Sequence, residues 1–450
     1  MKKTDVRRLA FEILTEVEDG AFSDQALDAV LAANPHMDDR DRRLLTELVY
    51  GVLRYRGRLD YALSCFCRQP LTRIEPAVVQ LLRLGGYQLL LLDRIPQRAA
   101  VHETVELARR LGLARVTGFI NGILRALIRG IDAIPWPDRN SDPRAYLQRV
   151  LSLPNWLAGQ WLDQYGCTEA LALAEAMLKQ APFTVRVNTQ KTTREAFLAA
   201  LQEAGYRAEA TAYVAEGVIV AEGPGRRLPG DREGWYQVQD EASMLMACLI
   251  APKAGERLLD CCAAPGGKTT HLAALADNRA EILALDIDAE RLALVEQGAR
   301  RLGLSGIACR TWDVTSPSAF LVPDSFDRVL VDAPCSGLGV LRRNPESRWR
   351  RTPDDLRTNS ERQSMLLDRV APLVRLGGRL FYSVCTLAQE ETTVVAERFL
   401  SGHGEFSRED LREQAPQSWQ ELFDEQGALR TFPHRHHGMD AFYAVSFRRN

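Results

Sequence analysis

Apolar residues recur at helical spacing from the start of the chain. Val6, Leu9, Ala10, Ile13, Leu14 and Val17 mark one face, and Leu44, Leu45, Leu48, Val49, Val52 and Leu53 mark another. Residues 78–92 are apolar nearly all round, which predicts a central buried helix, and 102–111 and 117–128 predict two more. Residues 1–130 thus read as an all-α bundle. The stretch 131–155 holds Pro135, Pro137, Pro143 and Pro154 among Asp and Asn, the pattern of a linker with room for a short helix at 145–151. Beyond it the period changes. A helix at 170–179, a strand at 183–188, a helix at 195–204 and strands at 217–221 and 236–239 predict a small α+β subdomain over 156–238. From 239 to 450, strands at 257–262, 281–287, 307–311, 327–332 and 378–384 alternate with helices such as 289–302 and 355–374. That alternation predicts a doubly wound α/β domain, finished by an antiparallel strand at 442–447.

The first strand, turn, helix and strand of this α/β domain carry the clearest chemistry. Leu258 and Leu259 lead into Asp260, Cys261 and Cys262; Ala263, Ala264, Pro265, Gly266 and Gly267 make a tight turn; a helix begins near Lys268. A second apolar run ends at Asp286. The paired glycines let a ligand approach the backbone closely, and the helix start offers unpaired N–H groups. Asp286 stands twenty residues after Gly266, a spacing suited to gripping ribose hydroxyls. A nucleoside-type ligand fits. A phosphate loop would need a glycine where Cys262 stands, and Ala264-Pro265-Gly266 breaks the dinucleotide fingerprint. Asp260, Asp286, Asp313, Asp332 and Cys385 all fall at carboxyl ends of predicted strands, where ligands of such sheets bind.

Composition sets the surroundings. A chain of 450 residues is too long for one usual core, and the charged, amphipathic N-terminal stretch has no apolar signal segment. No uninterrupted apolar run reaches the ~18 residues of a membrane helix. Nine cysteines without metal-ligand spacing point to a reducing compartment, the cytoplasm, and to no metal. A net charge of −2 does not announce nucleic acid, but the basic residues are clumped. Arg342, Arg343, Arg348, Arg350 and Arg351 surround Trp349, a composition suited to phosphate contact and base stacking, and His434 to His437 form a second basic cluster.

Three motifs in order resemble the signatures of RNA cytosine-5 methyltransferases. Residues 260–269 match D-x-C-A-A-P-G-G-K-T, Asp332-Ala333-Pro334-Cys335-Ser336-Gly337 resembles the second signature, and Tyr382-Ser383-Val384-Cys385-Thr386 the third. LVYGVLR (48–54), LLRLGGYQLLLLD (81–93), IPQRAAVHETVELAR (95–109) and FINGILRALI (119–128) resemble NusB, an RNA-binding domain that the RsmB (Fmu/Sun) type of ribosomal RNA methyltransferase carries at its N-terminus. The α+β region resembles that type's RNA-recognition-like subdomain through Arg186-Val187-Asn188.

The resemblance implies a multidomain chain. An all-α NusB-like domain over 1–130 would add RNA affinity, followed by the α+β subdomain and a class I, Rossmann-like methyltransferase domain over 239–450. It implies S-adenosyl-L-methionine as donor, its methionine part wrapped by residues 262–268, its ribose held by Asp286 and its adenine amine by Asp313. The substrate it implies is a cytosine of small-subunit ribosomal RNA, with the protein acting as a monomer. Carbon 5 of a pyrimidine is a poor nucleophile until a thiolate adds to carbon 6. Sequence chemistry leaves two cysteines eligible, Cys335 as in the DNA enzymes and Cys385 as in the RNA enzymes. The resemblance assigns Cys385 as nucleophile, Cys335 to product release and Asp332 to activating the base, with Lys268 near a carboxylate of the site. Val384 replaces a usual threonine and Ala441 a usual glycine, departures that touch positioning rather than chemistry. Two rivals are the same chemistry on transfer RNA or DNA, and an RNA-binding scaffold with an inactive methyltransferase domain. Intact Asp332, Cys335 and Cys385 weigh against the scaffold.

Overall fold

A computed structural model describes residues 5–223 and 227–450. Residues 1–4 and 224–226, which fall inside the expected 1–130 and 156–238 ranges, lie outside the described residues. The chain divides into two compact units, Met1–Gln180 with Leu341–Arg350, and Ala181–Val340 with Arg351–Asn450.

The first unit is helical, as the 3.6-residue period requires. Helices Val6–Glu18, Asp39–Arg54, Gln97–Arg110 and Thr117–Gly130 surround Pro76–Leu90, which is buried from Val78 to Leu89. Asp5 and Asp38 accept the N–H groups of Arg8 and Asp41 at two helix starts, and proline occupies the first turn of the central helix. Burying polar groups in that central helix demands partners. Arg83 places Nε and Nη2 2.7 and 2.8 Å from the Asp60 carboxylate, and Gln88 accepts Arg7 Nε at 2.8 Å. Gly51 admits the Tyr87 ring, since a Cβ there would lie 2.0 Å from Cζ.

The stretch expected as a linker is folded. Asp142 caps helix Pro143–Arg149, and Ala145, Leu147, Leu151 and Leu153 are buried. This helix packs against Asn155–Leu178, which is two helical pieces joined at Gly166 (φ 74°, ψ 172°). The latter therefore begins fifteen residues before the predicted 170–179 and clusters with the first unit.

In the second unit, β1 (Phe183–Val187), β2 (Arg207–Ala210), β3 (Gly217–Glu222) and β4 (Tyr236–Val238) form an antiparallel sheet in the order β2-β3-β1-β4. The main sheet contains β5 (Arg257–Asp260), β6 (Glu281–Asp286), β7 (Ile307–Thr311), β8 (Phe326–Asp332), β9 (Val374–Val384), β10 (Phe406–Glu409), β11 (Leu429–Thr431) and β12 (Phe442–Arg449). Its order is β10-β12-β9-β8-β5-β6-β7, with β11 on β12. Strands β5 to β9 pair in parallel, while β12 runs antiparallel to β9 as predicted.

Both faces of this sheet are covered. Leu258, Leu330 and Phe381 pack with Leu245, Leu249 and Leu272 on one face. Their chain neighbours Leu259, Val329, Val331, Leu380 and Tyr382 pack with Leu367, Val370 and Phe399 on the other. Period-two alternation between two apolar layers makes the strands read as continuous hydrophobic runs. The chain leaves β5 toward β6 and β7, then returns to the opposite side for β8 and β9. This reversal opens a crevice at the carboxyl ends of β5 and β8.

Candidate functional site

Asp260 ends β5, and the turn after it is tied to its neighbours. Cys261 N donates to Leu330 O, and Ala263 N donates to Leu285 O, each at 2.9 Å. Ala264 N donates to Asp286 Oδ2 at 3.1 Å, so the second acidic strand end holds the glycine turn directly. Gly266 adopts φ 101°, and a Cβ there would lie 3.0 Å from Val295 Cα. Only glycine makes the turn without displacing the neighbouring helix. Gly267–Leu275 is then helical.

Asp260 is 1% exposed; Thr269 Oγ1 donates to its Oδ2 at 2.7 Å, while Oδ1 makes no hydrogen bond of ordinary geometry. Burial pushes this carboxyl up to about 7, helped by the charge of Asp332 and opposed by Thr269 and Lys268. Arg186, from the antiparallel sheet, is also buried. It donates to Gly267 O at 2.7 Å, to Thr270 Oγ1 at 3.1 Å and to Gln239 Oε1. Its place is beneath the helix start, a brace. Glu216, Cys248 and His271 bring their ligating atoms within 4.8 Å of one another, but Arg186 faces the same trio with a fixed positive charge.

At the end of β8, Asp332 Oδ2 accepts Lys268 Nζ at 2.7 Å and Oδ1 accepts Ser383 Oγ at 2.7 Å. Lys268 also lies over the Phe442 ring, 5.0 Å from its centroid. The carboxylate is thereby fixed in rotation between two neighbouring elements.

Three residues beyond Asp332 and two beyond Ser383, the two cysteines meet. Cys335 Sγ and Cys385 Sγ are 3.3 Å apart, and Gly339 N donates to Cys385 O at 2.9 Å. The hydrogen bond to Cys385, burial and the charge of Glu391 together hold the Cys335 thiol well above its ordinary range. Asp286 is 6% exposed, and besides Ala264 N it accepts Asp288 N at 3.0 Å. Asp313 is half-buried after β7; its Oδ1 accepts Thr315 N and Oγ1 at 2.9 and 2.7 Å, closing its own turn.

Known proteins resemble this chain along its whole length. Residues 247–448 match the family described as 16S rRNA methyltransferase RsmB/F, residues 4–129 the NusB family, and residues 153–224 the ferredoxin-like domain of RsmF/B-like methyltransferases. The probable ribosomal RNA small subunit methyltransferase B of Bacillus subtilis (strain 168) is 38% identical over 451 residues, covering 100% of both chains. The chain belongs to the RsmB/F methyltransferase family. The ribosomal RNA small subunit methyltransferase B of Escherichia coli O7:K1 (strain IAI39 / ExPEC) is 36% identical over 89% of this chain and 90% of its own. Among solved structures, the crystal structure of PH0851 superposes with a TM-score of 0.83 at 25% identity, covering 99% of each chain. A NusB-type N-terminus, a ferredoxin-like domain and a Rossmann-like methyltransferase domain are thus the family's architecture in this chain. Among the described residues, no helix is long and apolar enough to cross a membrane.

Of the expected RNA-contacting arginines, Arg348 needs correction. Residues 341–350 belong to the first unit, where Arg342 is 4% and Arg348 0% exposed. Arg348 donates to Ser152 O, Met177 O and Leu341 O at 3.3 Å and to Arg54 O at 3.5 Å. Arg350 donates to Val17 O and Ala21 O, and Trp349 Nε1 donates to Leu53 O at 3.0 Å. Glu346, buried, accepts Ser23 N and Oγ at 3.1 and 2.8 Å. The buried Arg348 guanidinium is committed to carbonyls and turned away from any phosphate. Arg343 and Arg351 are half-buried, and Arg351 Nε donates to Ser336 O at 3.1 Å. His436 of the second basic cluster is likewise buried; it accepts Phe432 N at 2.9 Å, and burial pushes it down to about 4.

Motif reading passed over Glu391, Gln363 and the two serines. Ser336 and Ser383 stand inside the quoted signatures, a signal that was present. Glu391 stands outside the three motifs, and only the fold brings it to Ser336.

Proposed function

We propose that this chain transfers the methyl group of S-adenosyl-L-methionine to carbon 5 of a cytosine in small-subunit ribosomal RNA, through a transient thioether between Cys385 and carbon 6. The observation that carries this reading is the 3.3 Å approach of Cys335 Sγ to Cys385 Sγ beside the Lys268–Asp332 pair, at the carboxyl ends of β8 and β9. One catalytic thiol would suffice to activate the ring; two in contact fit a cycle in which the enzyme must also be released.

The loop fits a nucleoside donor. Gly266 gives the turn a left-handed conformation that glycine adopts freely, Asp286 holds a buried carboxylate with lone pairs free for hydroxyls, and Asp260 Oδ1 is without a hydrogen bond of ordinary geometry. Residues 262–268 would hold the methionine part, Asp286 the ribose and Asp313 the adenine amine. When bound, the donor supplies an electrophilic methyl group on a sulfonium. The chain's own residues do the rest. Asp332, oriented by Lys268 and Ser383, would hydrogen-bond the cytosine edge, and a proton shared between its carboxyl and ring nitrogen 3 would make carbon 6 electrophilic. Cys385 adds to that carbon. Cys335, whose thiol keeps its proton, stays beside it for the elimination step. Reaching carbon 6 requires an unstacked base, which single-stranded or looped RNA presents at lowest cost. All nine cysteines are free thiols, in keeping with a reducing cytoplasm.

The test is a gel and a sequencing lane. Cys385→Ala should transfer no methyl group and form no adduct, and Cys335→Ala should methylate once and remain attached to RNA in denaturant. Bisulfite sequencing of total RNA from a deletion strain should show one cytosine losing protection. Adducts formed by Cys385→Ala but not by Cys335→Ala would reverse the two roles.

A further inference from the structure

Behind Cys335 lies a carboxylate that the chemistry above does not use. Glu391 is 0% exposed. Its Oε1 accepts Ser336 N at 2.8 Å and Gln363 Nε2 at 3.2 Å, and its Oε2 accepts Ser336 Oγ. Gln363 also donates to Pro334 O at 2.9 Å, so the residues on both sides of Cys335 are tied to one cluster. Tyr382 donates to the backbone oxygen of Glu391 at 2.6 Å, and Ser336 Oγ lies 2.9 Å from Thr386 Oγ1, on the residue after Cys385. The partners of the carboxylate are thus neutral groups: a backbone N–H, a hydroxyl and amides. Burial raises the Glu391 carboxyl above its usual range, while these hydrogen bonds favour its charged form.

Two thiols in contact do not ionise together, and the one nearer a carboxylate gives up its proton last. Glu391 stands behind Cys335 and raises its thiol further. We propose that Glu391 is a positioning residue for product release: by clamping the Ser336 turn from behind, it makes Cys335 the hydrogen-bond donor and Cys385 the acceptor. This rests on the methyl-transfer reading above. In the release step the carbon-5 proton passes to water and its bonding pair forms the carbon 5–carbon 6 double bond. The carbon 6–sulfur bond breaks with its pair going to Cys385 Sγ. Cys335 keeps its proton throughout and donates a hydrogen bond to that departing sulfur. Without Glu391 the turn and the donor direction are both released, and elimination slows while methyl transfer does not.

The experiment uses the full-length protein, a transcript of small-subunit ribosomal RNA and radiolabelled S-adenosyl-L-methionine. Glu391→Gln keeps an acceptor for Ser336 N and removes the charge. Single-turnover methyl transfer should stay within about threefold of wild type while release slows at least about tenfold, so a denaturant-resistant protein–RNA band accumulates. Transfer and release falling by one common factor, or no band, would overturn the inference. A wild-type enzyme that transfers no methyl group would overturn the underlying function instead. Should Glu391→Gln not fold, Ser336→Ala loosens the same clamp and should shift the same partition; an unshifted partition sinks the proposal. A second readout is independent of turnover. The titratable groups acting on Cys335 include Cys385 and Tyr382 from the end of β9 and Glu391 from the turn beyond, with the charged Asp332 at the end of β8 and Arg351, which donates to Ser336 O, on the neighbouring elements. In a Cys385→Ala background, peptide-resolved alkylation of Cys335 by iodoacetamide should move to lower pH when Glu391→Gln is added. An unmoved midpoint means that the carboxylate does not act on the thiol.

Discussion

Lys268 Nζ lies 2.7 Å from Asp332 Oδ2, joining the first turn of a helix to the carboxyl end of β8. Their side chains are 13% and 28% exposed, and the Phe442 ring covers the ammonium. Desolvation makes such a pair geometrically demanding, and removing one partner leaves the other uncompensated. Lys268→Met should therefore disturb Asp332 more than the fold. Single-turnover methyl transfer is expected to fall roughly 10²-fold, the scale of losing one preorganised polar partner. The thermal midpoint should move by only a few degrees. A variant as fast as wild type would show that Asp332 needs no cation to work.

Asp286 bears two loads, Ala264 N within the glycine turn and Asp288 N at a helix start. Asp286→Ala should loosen the turn and remove the acceptor proposed for ribose hydroxyls. Calorimetry with S-adenosylhomocysteine should show at least about a tenfold loss of affinity, or ~1.4 kcal/mol. RNA binding measured by filter retention should stay near wild type. Unchanged affinity would remove Asp286 from the donor site.

Arg348 is the clearest case of a charge that holds structure. Four carbonyl oxygens lose their donor in Arg348→Met, and each buried group left unpaired costs about 1–3 kcal/mol. Cooperative unfolding should come at markedly lower denaturant, while the slope of log RNA affinity against log salt stays the same. Each phosphate contact with single-stranded RNA contributes roughly 0.7 to that slope. Neutralising Arg343 and Arg351 together should flatten it by about 1.4 if both touch phosphate. A slope that drops in Arg348→Met and not in the double variant would reverse these assignments.

How far the pattern of residues carried the reading depended on what each feature answers to. Strands β5, β8 and β9 were legible because two apolar layers cover them and their central residues are selected for burial. Strand β2 was not, since its four residues are mostly exposed and pair at a sheet edge. The glycine turn and its acids were legible because backbone conformation and strand-end position both leave local marks, at Gly266 and Asp286. The arginine cluster misled because composition is blind to direction: Arg348 and Arg350 turn toward helix-end and loop carbonyls rather than toward water. Glu391 was illegible for a related reason. Its partner Ser336 is 55 residues away in sequence, and nothing local distinguishes it from the acid beside it.

Asp260 gives a prediction about pH whose sign follows from linkage. Its carboxyl is pushed up to about 7 from an ordinary 3.8, chiefly by burial. The folded chain therefore binds a proton that the unfolded chain has released between roughly pH 4 and 7. This group's contribution to stability is complete below pH 4 and is lost as pH rises through 7. Asp260→Asn keeps an oxygen for Thr269 Oγ1 and removes the titration. Urea unfolding followed from pH 5 to pH 8 should show wild type losing stability relative to the variant as pH rises, so that the difference between them is pH-dependent. The Lys268–Asp332 pair is present in both proteins, and its coupling to Asp260 is part of that difference. A difference that stays constant across the range would mean that Asp260 is ionised throughout, with its charge met by a group other than Thr269.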